Sequence, residues 1–334
     1  MTQNNNFKRR VRARASKTGE SYSTARMQIL EASQNEPTME KKSVRLAVAQ
    51  MTLRTDPRDI SEFRASGKEI RELMRQAHSA KAELLHLQEG ATCWPDKFIL
   101  SENGPGDVGP AVWDRFQWPA LKEELQAIRQ LAQDLGLWVV FGSVHQLSKP
   151  QRPHNSLYVI SDKGVLVTRY DERMLSHTKI SYMYTPGTLP IAFEVKGLKF
   201  GCALGMESHF PEVFIEYEQL GVDCVLFSTT GGSPAYPNDS AFTAEIVGHA
   251  ASNSYWVSYA VAAKPDGAAC SGIATPWGEW AAQCAPDGAS SLAVFDIEDF
   301  SNDPARPWRR SARSGIYEPL QVENDPRSET RDAF

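Results

Sequence analysis

The sequence predicts an α/β domain in which strands and helices pack as layers around one core. Three observations predict this class. Apolar runs alternate with amphipathic segments over about 220 residues, no linker rich in Pro, Gly or Ser interrupts them, and no repeat of fixed period is present. The chain has 334 residues, 41% of them hydrophobic and 23% charged, which is an ordinary globular composition. A core of useful size can therefore form.

The first half of this domain begins with a strand and ends with a hairpin. The apolar run "VRLAVAQM" predicts a buried strand, "ISEFRASGKEIRELMRQAHSA" a helix, and "AELLHLQEG" a second strand that ends in a carboxylate. The next helix is "WPALKEELQAIRQLAQDLG", closed by Gly136, and the next strand is "LWVVFGSVHQ". Two further strands, in "HNSLYVISDKGVLVTRYDERML", join at Asp162-Lys163-Gly164, which is a hairpin signal.

The second half continues the alternation of strand and helix. It reads as strand "LKFGCALG", helix "FPEVFIEYEQLG", strand "VDCVLFSTT", helix "AFTAEIVGHAASNS" and strand "YWVSYAVAA". We expect an extension over residues 1–42, the main domain over 43–302, and a C-terminal arm or disordered tail over 303–334, which includes "RPWRRSAR".

Composition limits the class of protein further. No stretch of about eighteen apolar residues is present, and the N-terminus lacks an apolar signal core, so we expect a cytoplasmic protein that does not enter a membrane. The five cysteines are odd in number and have no CxxC spacing. Reduced thiols, mostly in the core, are the expectation, with no metal site and no cofactor.

Charge is distributed unevenly along the chain. Residues 1–42 carry nine Lys/Arg against four Glu, or +5, and the remainder carries twenty-seven against thirty-seven, or −10. Six basic residues fall within positions 8–17 without an acid between them. A solvated, partly disordered extension is one interpretation. The other takes "SYSTARMQILEAS" as a short capped helix behind a basic arm that contacts nucleic acid or an acidic partner.

Several segments together resemble the nitrilase, or carbon-nitrogen hydrolase, superfamily. In order they are "VRLAVAQM", "AELLHLQEG", "LWVVFGSVH", "HNSLYVISDKGVLVTRYDERML", "TPG", "LKFGCALGMESHFPEVF", "GVDCVLFST", "HAASNSYWVSYA" and "SGIATPWGEW". The resemblance implies an α-β-β-α sandwich of two sheets flanked by helices, and a homodimer. It also implies cleavage of amides, nitriles or carbamoyl groups by a Glu, a Lys and a Cys.

The resemblance assigns only one of those three groups to the expected residue type. Glu89 matches the general-base glutamate, and a carboxylate that ends an apolar strand suits acid-base work. In "YDERML" the position of the family's lysine holds Glu172. Arg173 stands next to it, but successive strand residues point to opposite faces. Arg173 therefore supplies the missing charge only if the backbone twists.

The position of the family's nucleophile is also altered. Counted back from "FPE", the place of the cysteine holds Gly205, and Met206, Glu207 and His209 follow as candidate binding residues. Cys202 is three residues upstream, where the odd offset turns it to the other face as a core thiol. Ser208 beside His209 is an alternative nucleophile, against its interpretation as a capping residue.

Loss of both thiol and lysine removes the family's covalent chemistry. We expect a non-hydrolytic ligand-binding or scaffold protein, with a small amide, amine or carboxylate as the possible ligand. The alternatives are a hydrolase of amide or nitrile C–N bonds with a rearranged carboxylate and histidine site, and nucleic-acid or partner binding through residues 8–17. Glu89 and Glu172 should share one cavity, so a cation is needed: Arg173, His209, a metal ion or an amine ligand.

Overall fold

The structure of the protein is a computed structural model. The structure describes residues 11–12, 21–22, 24–27, 42–232, 239–264, 269–300, 302–322, 325 and 327. Residues 1–41 and 42–334 form two compact units. In the first unit, residues 24–27 are helical and Ser21 Oγ accepts a hydrogen bond from the Thr24 amide, as expected of a capped helix start. The predicted basic arm at 8–17 lies outside the described residues, apart from Val11 and Arg12.

Two six-stranded sheets form the second unit. The strands of the first sheet, in spatial order, are β12 (Ser291–Glu298), β1 (Ser43–Gln50), β2 (Leu84–His86), β3 (Trp138–His145), β4 (His154–Ile160) and β5 (Leu166–Asp171). Those of the second are β11 (Trp280–Gln283), β10 (Gly272–Ala274), β9 (Trp256–Ala260), β8 (Cys224–Ser228), β7 (Leu198–Leu204) and β6 (Ala192–Val195).

Helices α1 (Ile60–Ser79) and α3 (Trp118–Leu135) cover the outer face of the first sheet, and α4 (Pro211–Gln219) and α5 (Asp239–Asn253) that of the second. Two shorter helices are α2 (Lys97–Leu100) and α6 (Ala305–Arg313). Asp59 caps α1 by accepting from the Ser61 amide, and Gly136 ends α3 in the left-handed conformation with φ 61°. The predicted helix boundaries in these two cases agree with the structure to within one residue.

Strand alternation explains the layering. On β1, Val44, Leu46 and Val48 point into the core between the sheets, whereas Ala47 and Ala49 point outward and pack under the helices. The inward residues of β7 and β8 complete the inter-sheet core, and α4 and α5 cover the far side of the second sheet. The α-β-β-α sandwich expected from the resemblance is thus confirmed.

The sequence patterns left four strands and two helices unassigned. They are β6, β10, β11, β12, α2 and α6. Helix α6 forms where an arm or disordered tail was expected, because three of its arginines bond groups at the end of the second sheet. Arg306 donates to the Val222 carbonyl oxygen at 3.0 Å, and Arg310 and Arg313 contact the buried Glu218.

Parallel pairing decides where a site can form. β1, β2 and β3 run parallel, as do β7, β8 and β9, so their carboxyl ends lie at common edges. Chain segments that leave those ends supply side chains to one cavity, as is usual for α/β folds.

Candidate active-site cavity

Glu89 lies just beyond the carboxyl end of β2 and is 1% exposed. Its Oε1 accepts hydrogen bonds from Asn155 Nδ2 at 2.7 Å and from Lys179 Nζ at 2.6 Å. Its Oε2 accepts one from the Thr230 backbone amide at 3.1 Å. The strand-end carboxylate is therefore held from both sheets, by Asn155 on β4 and by the segment after β8.

Glu172 follows β5 directly and is completely buried. Its amide donates to the Asn155 carbonyl oxygen at 2.9 Å, which continues the pairing of β4 with β5. Its Oε2 accepts from Asn155 Nδ2 at 2.6 Å and from Lys179 Nζ at 2.7 Å. One asparagine and one lysine thus bridge the two carboxylates, and Glu89 and Glu172 do share one site.

Lys179 is the cation that the sequence analysis did not identify. It begins a π-helical turn, Lys179–Met183, and its ammonium also bonds Glu172 Oε1 at 2.9 Å. The same ammonium lies over the Trp94 ring, 5.0 Å from its centroid. A signal was available, because two buried carboxylates require a nearby cation and Lys179 is the next lysine after Glu172.

Burial and charge set the protonation of this cluster. Burial raises the pKa of Glu172 to about 8, opposed by Lys179 and reinforced by the like charge of Glu89. Burial lowers the pKa of Lys179, but attraction and hydrogen bonds from Glu172 and Glu89 outweigh it and leave that pKa above its ordinary value. The ammonium therefore stays charged, and Glu172 is the group that takes up a proton near neutral pH.

Gly205 lies directly against this cluster. Its φ is 62°, a left-handed conformation that residues with a side chain rarely adopt. A Cβ atom built at this position would overlap Glu172 Oε1 and lie 2.8 Å from Lys179 Nζ. The space of a side chain at position 205 is therefore already filled by the Glu172 carboxylate, with the Met206 amide 3.4 Å from Oε1.

The other candidate residues from the sequence lie in different surroundings. Arg173 forms an ion pair with Glu216 on α4 at 2.8 Å and a hydrogen bond with the Tyr170 hydroxyl at 3.1 Å. Its charge therefore does not balance Glu89. Glu207 is buried and accepts from the Tyr170 hydroxyl and the Arg173, Met174 and Leu204 amides. Burial raises the pKa of Glu207, and these hydrogen bonds, which lower it, do not fully offset the effect of burial.

Of the four residues directly after Gly205, Met206 lines the cavity and residues 207–209 do not. His209 Nδ1 pairs with Glu245 on α5 at 2.6 Å, and the ring packs on Phe242. Ser208 Oγ is buried and has no hydrogen-bond partner among the described residues. Ser208 and His209 are therefore not brought to Glu89 as a nucleophile and base.

Thiols are also absent from the described lining of the cavity. Cys202 is completely buried on β7, and burial raises the pKa of its thiol far above the ordinary value. Burial likewise raises the pKa of Cys93, which is packed among aromatic residues. Neither thiol is set up as a nucleophile.

The cavity itself has a volume of about 1290 Å³. Trp94, Phe98, Phe242, Met183 and Met206 supply an apolar wall. A second ion pair also lines the cavity: Lys264 Nζ contacts both oxygens of Asp239 at 2.8 Å and the Gly232 carbonyl oxygen at 2.6 Å. Within the described ranges no cluster of three His, Cys, Asp or Glu could hold a metal ion, and no helix is long and apolar enough to span a membrane.

The sandwich of two sheets with a carboxylate and a lysine at the strand ends defines a hydrolase-like protein of the nitrilase type. The carbon-nitrogen hydrolase family profile matches residues 45–301, and the chain belongs to that family. Residues 1–44 and those after 301 lie outside the match.

Comparisons with individual proteins agree with this family. The chain is 24% identical to the mouse (Mus musculus) deaminated glutathione amidase over 121 residues, which span 32% of this chain and 38% of the mouse protein. A solved amidase from Nesterenkonia sp. AN1, a mutant with an acetamide moiety added to its active-site cysteine, has a TM-score of 0.62 at 17% identity. That match covers 81% of this chain and 97% of the amidase.

A second structure of the Nesterenkonia amidase, a double mutant in complex with acrylamide, gives a TM-score of 0.62 at 16% identity. It covers 82% of this chain and 99% of the amidase. At these identities the likeness concerns the fold, and the chemistry must be argued from the residues of the cavity.

Proposed function

We propose that this carbon-nitrogen hydrolase family member binds a small ligand in the cavity above Glu89 and Lys179 and does not hydrolyse it through a covalent thiol intermediate. The proposal rests on the residues at the cavity floor. Glu172 stands where the resemblance expects the lysine, and Gly205 stands where it expects the cysteine.

The filled space at Gly205 is the main support. A nucleophile must project a side chain toward the bound carbon, within about 3–3.5 Å of it. Here a Cβ atom at position 205 would collide with Glu172 Oε1, and the backbone has the positive φ that glycine tolerates. Lys179 is moreover bonded to both carboxylates, so a developing oxyanion would have to compete with Glu89 and Glu172 for its ammonium.

A rearranged hydrolase is the second candidate, and one observation favours it. Glu89 faces the cavity beside a lysine, and a carboxylate so placed can activate a water molecule. The histidine considered for this reaction, His209, pairs with Glu245 and is not among the cavity-lining residues. Hydrolysis by water would therefore rely on Glu89 alone.

Turnover assays on the purified protein test the proposal. We expect no hydrolysis of a panel of short amides, nitriles and carbamoyl compounds, because no thiol among the described residues lines the cavity and the Lys179 ammonium is bonded to two carboxylates. Loss of the nucleophile alone lowers family-type rates by roughly three to six orders of magnitude. Treatment with iodoacetamide should leave ligand-induced thermal shifts unchanged.

A Glu89→Gln variant is the control that separates the outcomes. Turnover abolished by iodoacetamide would refute the proposal, since it would require a catalytic thiol. Turnover that resists iodoacetamide but disappears in Glu89→Gln would instead establish the water-dependent hydrolase. Gly205→Cys should remain inactive and melt at a lower temperature than wild type, because of the overlap with Glu172.

A further inference from the structure

We infer that the ligand of this cavity is a small cation with several N–H donors, such as an amidinium or alkylammonium, and that it is preferred over its neutral amide and its carboxylate analogue. The inference deepens the proposed function, on which it rests. It follows from the hydrogen-bond inventory and the charge of the cavity.

The charged and amide donors at the floor already have acceptors, whereas the Tyr184 hydroxyl, which also lines the cavity, has no partner among the described residues. The Lys179 ammonium contacts Glu89 Oε1 and both oxygens of Glu172 at distances of 2.6–2.9 Å. The two hydrogens of the Asn155 amide go to Glu89 Oε1 and Glu172 Oε2. A ligand acceptor placed against Lys179 or Asn155 would have to break one of these charge-assisted bonds.

The donors on the wall that holds Lys264 and Asp239 are used in the same way. Lys264 gives its hydrogens to Asp239 and to the Gly232 carbonyl oxygen. Three backbone amides are also occupied: Thr230 donates to Glu89, Gly231 to Thr229 Oγ1, and Gly232 to Asp239. The described backbone of this wall therefore offers no amide cradle for an anion.

One carboxylate oxygen of the cavity, Glu89 Oε2, can still accept a hydrogen bond from a ligand. Glu89 Oε2 accepts only the Thr230 amide among the described residues, and a carboxylate oxygen can accept two hydrogen bonds. Because Glu89 lines the cavity, this lone pair is the strongest site left for a ligand, and it requires a donor.

Charge favours the same class of ligand. The cavity has the carboxylates Glu89, Asp96 and Asp239 in its lining and Glu172 behind them, against the lysines Lys97, Lys179 and Lys264. Four carboxylates against three ammonium groups leave one negative charge uncompensated when all are ionised. The apolar part of a ligand would contact Trp94, Phe98 and Phe242, whose ring faces also attract cations.

Binding of such a cation should be linked to proton release. Burial raises the pKa of Glu172 to about 8, so near neutral pH a proton partly occupies the position of the missing positive charge. A bound cation replaces that proton electrostatically. Affinity should therefore increase as the pH rises through the pKa of Glu172, and protons should leave the protein on binding.

Three probes of one shape test the inference: benzamidine, benzamide and benzoate. Isothermal titration of the full chain at about pH 6.5 and about pH 9, in two buffers of different ionisation heat, gives affinity and the number of protons released. We expect benzamidine to bind, to bind more tightly at the higher pH, and to release protons near neutral pH. Benzamide should bind at least about tenfold more weakly, because a charge-assisted hydrogen bond is lost.

Variants locate the binding. Glu89→Gln should weaken benzamidine at least about tenfold. The control variant Glu123→Gln, which alters an exposed ion pair with Arg64, should leave the affinity for benzamidine unchanged. A thermal melt checks that both variants are folded, and the proton count of the wild-type protein remains decisive if Glu89→Gln does not fold.

Two outcomes would overturn the inference. One is tighter binding of benzoate or benzamide than of benzamidine, and the other is the absence of benzamidine binding at either pH. Both leave the proposed function to be judged separately by turnover and iodoacetamide sensitivity, so the two failures are distinguishable.

Discussion

Two buried carboxylates share one ammonium group at the floor of the cavity. Glu89 and Glu172 are each within 2.7 Å of Lys179 Nζ, and the Asn155 amide joins them. A buried pair of this kind is balanced only if one carboxylate is protonated or a further cation is near. Glu172 is the more deeply buried of the two, and its pKa is raised by that burial.

This arrangement predicts how pH changes the stability of a Glu172→Gln variant. Because the pKa of Glu172 is about 8 in the folded protein against a reference of 4.5, the folded wild type holds the proton more strongly than the unfolded chain. Its free energy of unfolding therefore falls as the pH rises between these values. The glutamine of the variant cannot ionise and should escape this loss, which amounts to about 4 kcal/mol between about pH 5 and about pH 9.

Urea unfolding of both proteins at about pH 5 and about pH 9 measures the effect. The free energy of unfolding of the variant, relative to that of wild type, should be larger at the higher pH than at the lower pH. An exposed control, Glu72→Gln, should show no such movement. Parallel stability curves for Glu172→Gln and wild type would mean that Glu172 is ionised throughout, contrary to this account.

At the scale of single elements, α6 is held in place by Arg310 and Arg313, which bond the buried carboxylate of Glu218. Glu218 at the end of α4 is completely buried. Its Oε1 accepts from Arg310 Nε at 3.1 Å and its Oε2 from Arg313 Nη1 at 2.5 Å. Arg310 also donates to the Glu218 carbonyl oxygen at 3.0 Å. The helix thus depends on a charge located in another element.

Glu218→Gln should loosen α6 specifically. The variant removes the carboxylate, while Arg310 and Arg313 remain partly exposed and can turn to water, so we expect a loss of about 1–3 kcal/mol. Trypsin should then cut within residues 305–313 faster than in wild type. The matched control is Glu212→Gln, an exposed position at the start of the same α4. Equal cleavage rates for Glu218→Gln and wild type would disprove the role of Glu218.

At the scale of the whole molecule, we propose that two copies pair through α4, as the family resemblance leads us to expect. Ile215 on α4 is half-buried and Leu220, just after it, is 40% exposed, so this helix retains apolar surface. Sedimentation equilibrium at micromolar concentration should give the mass of a dimer.

An Ile215→Glu variant should shift the protein to the monomer, since it places a charge within the proposed contact. Ile60→Glu, on the exposed start of α1 at the other sheet, is the matched control and should remain dimeric. A monomeric wild-type protein at micromolar concentration would rule out the proposed pairing.

The sequence alone determined the layers of this fold. Strand and helix periodicities fix which side chains of an element share a face, and this information is local. β1 shows it, because its alternating residues divide between the inter-sheet core and the helix layer as the pattern requires. The patterns missed β12, which pairs along the whole of β1 from the far end of the chain. Such a pairing leaves no local signal.

Within the site, the resemblance to the nitrilase superfamily indicated Glu89, Glu172 and Gly205, and the strand pattern supported Glu89 as a carboxylate at a strand end. Only the tertiary structure decided what balances the two carboxylates. Lys179 lies in a π-helical turn that no periodicity predicts, and that turn carries its ammonium back to Glu89. Arg173, nearer in sequence, was excluded because Glu207 binds its amide and Glu216 its guanidinium. Contacts between distant segments depend on the packing of the whole domain, and local sequence does not encode them.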